Sequence, residues 1–299
     1  MRVDPLYVSN LVNSLDMTQA TQQQLTNELS SGARVNSLSQ DPVASGENVL
    51  LLNQIQRDDS FTQSSNLVQG QLQVTDSALG GVVSQLTQAV SLATAGNNGT
   101  LNSSQLQSIS SQLAGIRDEV MSLANTSYQG QYIFSGGQSS TAPFSLSNST
   151  SPATTSYNGD SGVNYLHTPN GQSIQLNLPG DQIFSAGGSN DVFGALNRLV
   201  ADFGSGTNSA ASVADAQALG NALNFVSQQR VTLDNSLTRL TAASTAVTSE
   251  QTQLTASQTT LMQADLAQVS TQLSLSKSQQ TALEAVISQM GSGSLFDKL

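Results

Sequence analysis

Residues 219–261 read LGNALNFVSQQRVTLDNSLTRLTAASTAVTSEQTQLTASQTTL, and their spacing decides the fold. Leu219, Leu223, Val226, Arg230, Leu233, Leu237, Leu240, Ser244, Val247, Gln251, Leu254, Gln258 and Leu261 follow one another at alternating steps of four and three. A mean step of 3.5 residues keeps one seam of a helix turned toward a partner helix. Arg230 is the charged member of that seam. A guanidinium there either sets register or packs its stem while its head reaches water. After Leu261 the phase slips by one residue, and Leu266, Val269, Leu273, Ser276, Gln280, Leu283 and Ile287 continue. Such a slip predicts a change of supercoil winding within one uninterrupted helix.

The same period appears at the other end of the chain. Val8, Leu11, Leu15, Thr18, Gln22, Leu25 and Leu29 form a heptad seam with a polar middle, which Ser31-Gly32 interrupts. Asp41-Pro42 is a helix start. The carboxylate can accept from first-turn amides, and proline suits the first helical position because its missing N–H would be unpaired anyway. Phe61, Ser65, Val68, Leu72, Thr75, Leu79, Val82, Leu86 and Ala89 carry this second helix to a break at Asn97-Asn98-Gly99. A third stripe runs through Leu106, Ile109, Leu113, Ile116, Val120 and Leu123. Proline is absent from 43–142 and 180–299, as long helices require.

Between those stretches the pattern changes. Val163–Thr168 and Gln172–Leu178 flank Pro169-Asn170-Gly171, and Ile174, Leu176 and Leu178 alternate with polar residues, which predicts a hairpin. A lone hairpin is marginal in water, so further strands are expected at Tyr132–Phe134, Phe144–Leu146 and Ile183–Phe184. Helical spacing resumes from Asp191 with Val192, Leu196, Leu199 and Phe203. The predicted fold is mainly α: a long antiparallel helical coiled-coil rod formed by the N- and C-terminal segments, with a small β domain inserted.

Composition excludes most chemistry. The 299-residue chain carries nine basic and 20 acidic residues, a net charge of −11, so it lacks the basic clusters that phosphate or anionic-membrane binding needs. It has no cysteine and a single histidine, His167, which removes thiol chemistry and multi-histidine metal sites. No 18-residue apolar run exists, and no apolar h-region follows the N-terminus. The neighbouring carboxylates Asp58-Asp59 and Asp118-Glu119 point about 100° apart on a helix and read as solvated faces. Asn98-Gly99-Thr100 and Asn148-Ser149-Thr150 match a glycosylation triplet at the frequency such a composition produces by chance. No catalytic, cofactor or metal residues are expected. Seams carrying Thr, Ser and Gln are weak in isolation, and self-association supplies the missing packing surface.

Several segments carry a family resemblance: Leu29-Ser-Ser-Gly-Ala-Arg-Val-Asn36, Gln40-Asp-Pro-Val-Ala44, Asn98-Gly-Thr100 and Leu123-Ala-Asn-Thr126. Gly130-Gln-Tyr-Ile-Phe-Ser-Gly136, Tyr157-Asn-Gly-Asp160, Leu178-Pro-Gly-Asp181 and Ser294-Leu-Phe-Asp297 complete the set in order. The chain resembles the flagellin family of bacterial flagellar subunits. Within it, Asp41-Pro42-Val43, the single modest β insertion and the Leu-Phe-Asp ending resemble the hook–filament junction branch more than filament flagellin. A phage or surface fibre subunit and a sensory coiled coil are the alternatives from other classes.

The resemblance implies a structural, non-enzymatic adaptor ring that joins hook to filament and templates filament assembly. It implies self-association, contact with a neighbouring hook-associated protein and with flagellin, and a cytoplasmic export chaperone. It also implies type III export without a cleavable signal and an extracellular place in the flagellum. Residues 1–40 and 262–299 would form the inner assembly coil, 41–137 and 189–261 the helical rod, and 138–188 the inserted β domain. The expected assembly residues are Leu11, Leu15, Leu25, Leu29, Leu266, Val269, Leu273, Leu283 and Ile287.

Overall fold

The structure, a computed structural model, describes residues 5–185 and 190–292. Its long helices are α1 (Pro5–Ser31), α2 (Pro42–Gly96), α3 (Ser103–Ala124), α6 (Ala210–Met262) and α7 (Leu266–Ser292). Between α3 and α6 lie β1 (Ser127–Tyr128), β2 (Gln131–Tyr132), β3 (Phe144–Ser147), β4 (Thr154–Tyr157), β5 (Tyr165–His167), β6 (Ser173–Gln175), α4 (Gly180–Phe184) and α5 (Val192–Gly204). The mainly helical, antiparallel architecture is the one expected, with helices making up 71% of the structure.

The helix starts follow local chemistry. Asp41 caps α2, its Oδ1 accepting from the Ala44 amide at 3.0 Å, and Pro42 is the first helical residue. Asn102 and Gln105 form a reciprocal capping box on α3. Asp191 accepts from the Gly194 amide at 2.9 Å and starts α5.

The chain divides into two compact units, 58–248 and the joined segments 1–57 and 249–299. These divisions fall within α2 and α6. The segment boundaries expected near 40 and 262 fall instead where helices break, so the two ways of dividing the chain do not coincide.

In the larger unit α2 and α6 run antiparallel: Asp76 pairs with Arg230, and Asn97 donates to the Ser212 carbonyl. All nine residues of the second predicted stripe, Phe61 through Ala89, are buried. One continuous core joins α2, α3, α5 and α6 to Phe134, Phe144, Ile174, Ile183 and Phe184 from the intervening region. That region holds three separate two-stranded antiparallel ladders, β1–β2, β3–β4 and β5–β6. The predicted hairpin is present, with Tyr165 opposite Gln175 and Gly171 in its turn at φ +80°. Ile183 and Phe184 were expected in a strand but lie in α4. The marginal hairpins are not completed by more strands; they gain their burial by packing on helices.

The smaller unit holds α1, α7, the first turns of α2 and the last turns of α6. Gln258 donates to Asn48 at 3.0 Å and Gln54 to Glu250 at 2.8 Å, again antiparallel. The expected uninterrupted helix through the phase slip is corrected here. The chain breaks at Gln263–Asp265, and Asp265 Oδ1 accepts from the Ala267 and Gln268 amides to start a new helix. An aspartate one residue before the resumed stripe is an N-cap signal, and it outweighs continuity of the seam.

Candidate assembly interface

The terminal helices pair through a thin apolar strip. Leu25, Ala264 and Val269 are buried together, with Leu273 half-buried against them. Toward the far end of the pair the seam turns polar: Thr18, Gln22 and Gln280 are half-buried and Ser276 is buried. Gln22 Nε2 is buried without a hydrogen-bond partner. Two grooves open beside the pair. One, of about 260 Å³, is lined by Met17, Thr18, Leu25, Gln272, Leu275 and Ser276 among others. The other, of about 490 Å³, is lined almost wholly by amide side chains, including Gln19, Gln22, Gln23 and Gln280. Two helices that leave such grooves do not fill their own interface, and close packing needs further side chains.

The expected assembly residues divide accordingly. Leu25 and Val269 are buried within the chain, and Leu11, Leu15, Leu273, Leu283 and Ile287 are half-buried along the same seam. Leu29 and Leu266 instead face solvent at 38% and 48% exposure. Glu28 takes the buried position that the heptad assigned to Leu29; Gln24 donates to its carboxylate at 2.9 Å. Met17 and Leu275, which the stripe placed off the seam, are exposed at 72% and 60%.

Sequence reasoning missed the Arg34 clasp where the two chain crossings meet. Arg34 Nε and Nη2 donate to the Leu261 carbonyl at 3.2 and 2.8 Å, and Nη1 pairs with Asp41 at 3.2 Å. The capping amide of Ala44, followed by Arg34, holds the Asp41 carboxyl below its ordinary pKa.

The quoted segments of the middle region converge on a second polar knot, in the larger unit. Asp160 Oδ1 accepts from the amides of Gly137 at 2.6 Å and Gly162 at 2.9 Å, which lowers its pKa. The Tyr157 hydroxyl donates to the carbonyls of Phe134 and Asp160, and burial pushes it up to about 12. Gly180 N donates to Phe134 O at 2.8 Å. Asn125 exchanges two bonds with the backbone of Phe144, both 2.9 Å, as a neighbouring strand would. Gly136, at φ +68°, lies against Asp160 where a side chain would clash. These residues form a structural brace that ties the hairpins to the helices.

Other singled-out residues carry no site. His167 is exposed, with Nδ1 3.0 Å from Ser173 Oγ. Asp58 departs from the expected solvated face: it is buried at 1% exposure while Asp59 faces solvent. The 100° between helical neighbours explains that split. Arg117 pairs with Asp118 at 2.8 Å. Asn98 accepts from the Thr100 amide and hydroxyl, a local turn. Among the described residues no group of three metal-ligating side chains occurs, and no helix is long and apolar enough to cross a membrane.

One unit thus pairs the two terminal helices antiparallel, and the other pairs two long antiparallel helices with small hairpins packed on them, a predominantly helical fold. Over residues 6–139 the chain matches the bacterial flagellin N-terminal helical region. It is 28% identical over 188 residues to flagellar hook-associated protein 3 of Salmonella typhimurium, covering 62% of this chain and 57% of that protein. To flagellar hook-associated protein 3 of Escherichia coli it is 26% identical over 257 residues, 79% of each chain. The match thus spans a little over half the length of the first relative. The flagellar hook associated protein-3 structure from Legionella pneumophila shares the fold, with a TM-score of 0.61 at 15% identity. That similarity covers 71% of this chain and 98% of the other.

Proposed function

We propose that this chain is a structural, non-catalytic component of the bacterial flagellum, a ring that joins hook to filament and templates flagellin assembly. The observation that carries the reading is similarity to hook-associated protein 3 over 79% of this chain, in sequence order. The unfilled α1–α7 seam supports self-association, because a further copy can bury Leu29, Leu266 and the grooves beside the pair. In this reading Leu11, Leu15, Leu25, Val269, Leu273, Leu283 and Ile287 hold the terminal coil together while Leu29 and Leu266 meet neighbours. The subunit contacts a neighbouring hook-associated protein on one side and flagellin on the other. It leaves the cell through the flagellar export route with a dedicated chaperone and works outside it. The terminal helices form the inner layer, the remaining helices of 41–137 and 189–261 the next, and the 138–188 hairpins the outside.

A clean deletion strain tests the proposal. Intact hooks with unpolymerised flagellin in the medium are the expected result. Full-length filaments in that strain would overturn it. Hooks that secrete no flagellin because the deleted subunit is itself the filament protein would favour the flagellin reading.

A further inference from the structure

The turn at Asn98–Thr100 offers no binding site, yet it is built to react with itself. Its frame is fixed on both sides. Asn97 follows α2 with its side-chain amide bonded to Ser212, Nδ2 donating to the carbonyl at 3.1 Å and Oδ1 accepting from Oγ at 2.7 Å. Asn102 opens α3 with its capping box. Between them Asn98 Oδ1 accepts from the Thr100 amide at 3.1 Å and from the Thr100 hydroxyl at 2.6 Å. Two donors on one amide oxygen draw electron density from Cγ and stand ready for negative charge on that oxygen.

The nucleophile is the next backbone nitrogen. Glycine follows Asn98, so no Cβ shields that nitrogen, and the space around Gly99 is open. Among the described residues none accepts from the Gly99 amide. Asn-Gly also occurs at Asn158-Gly159 and Asn170-Gly171, and neither is so arranged. The Gly171 amide donates to Thr168 O at 2.9 Å inside the β5–β6 turn. At Asn158 the Nδ2 that would leave donates to Ser145 Oγ at 3.2 Å. Gly159 is hemmed in, with the Tyr157 hydroxyl and the Ser135 carbonyl 2.5 and 2.7 Å from where a Cβ would sit.

We infer that Asn98 is a self-modification site, where the folded chain converts a neutral amide to a carboxylate with time. The Gly99 nitrogen gives its proton to solvent base and bonds to Asn98 Cγ, and Oδ1 takes the negative charge under the two Thr100 donors. Collapse of that adduct restores the carbonyl and expels Nδ2, with a solvent proton, as ammonia. A cyclic imide remains, and water opens it. Cleavage between the nitrogen and Cγ leaves an aspartyl residue. Cleavage between the nitrogen and the main-chain carbonyl leaves an isoaspartyl residue, whose backbone runs through the former side chain. Either product adds a negative charge at the α2–α3 corner. The chemistry needs only this turn and water, and it stands apart from the flagellar reading.

The test holds purified full-length protein at mildly alkaline pH. Mass spectrometry of chymotryptic peptides then reads the amide-to-acid mass gain and the isoaspartyl product over time. Conversion at Asn98 is expected to be about tenfold faster than at Asn158 or Asn170, where the fold must first open. In urea the three rates converge. Thr100→Val keeps the shape and the backbone donor but loses the hydroxyl. It slows conversion at Asn98 about fivefold, the worth of one exposed hydrogen bond. Thr100→Ser, which keeps both donors, matches the parent. Three results overturn the inference: equal rates at the three asparagines in the folded chain, a preference for Asn98 that persists in urea, or a Thr100→Val protein that converts as fast as the parent. Where Thr100→Val loses helix by circular dichroism, the comparison of folded and urea-unfolded parent decides.

Discussion

Arg230 on α6 reaches Asp76 on α2 through two bonds, Nε to Oδ1 at 2.6 Å and Nη2 to Oδ2 at 3.0 Å. The seam arginine is therefore neither free in water nor merely a packed stem; it ties the two long helices of the larger unit at one register. Both side chains stay partly solvated, at 39% and 26% exposure, so the pair contributes about 0.5–1 kcal/mol. Asp76→Ala is expected to lower stability by about 1 kcal/mol, and Arg230→Leu by less, because leucine suits the seam. Urea unfolding of both single variants and the double variant reads the coupling. A double variant equal to the sum of the singles would show that the two groups do not interact.

A second prediction concerns how closely α2 approaches α5. A methyl group on Gly96 would sit 2.6 Å from the Phe203 ring, which is itself fully buried. Gly96→Ala is expected to cost about 1–3 kcal/mol by overpacking. Gly115, exposed in the middle of α3, has open space around it. There alanine should stabilise by about 0.5–1 kcal/mol through helix propensity alone. Thermal melts of the two variants should move in opposite directions.

The brace around Asp160 and Tyr157 sets two pH limits. The Asp160 pKa is depressed, so its contribution is present above the ordinary carboxylate range and is lost as pH falls through the lowered value. The Tyr157 pKa is raised to about 12 in the folded chain. Its contribution is therefore complete below the ordinary tyrosine value and disappears between roughly pH 10 and 12. Tyr157→Phe removes the hydroxyl donor from the Asp160 carbonyl and leaves the Phe134 carbonyl only the Gly180 amide, and it should cost about 1–3 kcal/mol at neutral pH. The difference between the two proteins should vanish near pH 12. A constant difference across that range would mean that the hydroxyl does not stay protonated in the fold.

Asp202 runs the other way. Burial, then the nearby Asp215 charge, raises its pKa, and its Oδ2 is buried without a hydrogen-bond partner. Arg198 is engaged with Asp215 at 2.5 Å. An acid with a raised folded pKa costs stability at neutral pH and ceases to do so once pH falls below its ordinary value. Asp202→Asn should therefore stabilise at pH 7, by up to about 1 kcal/mol after allowance for solvent screening, and make no difference below about pH 4. Melting curves at the two pH values check the sign.

The period of the apolar residues made the long helices legible: every stripe residue named between Phe61 and Ala89 and between Leu219 and Leu261 is buried or half-buried. Turn chemistry did the same at Asp41-Pro42 and Asn170-Gly171. What stayed hidden depends on contacts between distant residues. Neither the pairing of Arg34 with Leu261, 227 positions away, nor that of Asp160 with Gly137 leaves any periodic trace. Short apolar runs are ambiguous between helix and strand, which explains Ile183-Phe184. The heptad also misplaced Leu29 by one step, because Glu28 can be buried when Gln24 supplies its partner. At the candidate interface the seam was readable, but which leucines face inward and which outward was not.

That division gives the last prediction. Val269 and Leu273 lie against Leu25 and Ala264 within the chain, while Leu266 and Leu275 face outward from the same helix. Removing a buried apolar side chain costs its transfer energy plus any cavity, about 1–3 kcal/mol for groups of this size. Val269→Ala and Leu273→Ala should therefore loosen the α1–α7 pair in the free monomer, seen as faster amide exchange in both helices. Leu266→Ala and Leu275→Ala should leave monomer exchange unchanged, because little apolar surface is buried at either position. If neighbouring copies cover the outward face, those two variants should nonetheless reduce the protein retained on isolated hook–basal bodies, since each subunit repeats the loss. Ser278→Ala, exposed on α7 and bonded only to its own helix at Ser274, should change neither measurement. Full retention of Leu266→Ala and Leu275→Ala would show that the outward face meets no neighbour. Loss of retention only with Val269→Ala and Leu273→Ala would instead mean that assembly depends on the integrity of the terminal pair rather than on its exposed leucines.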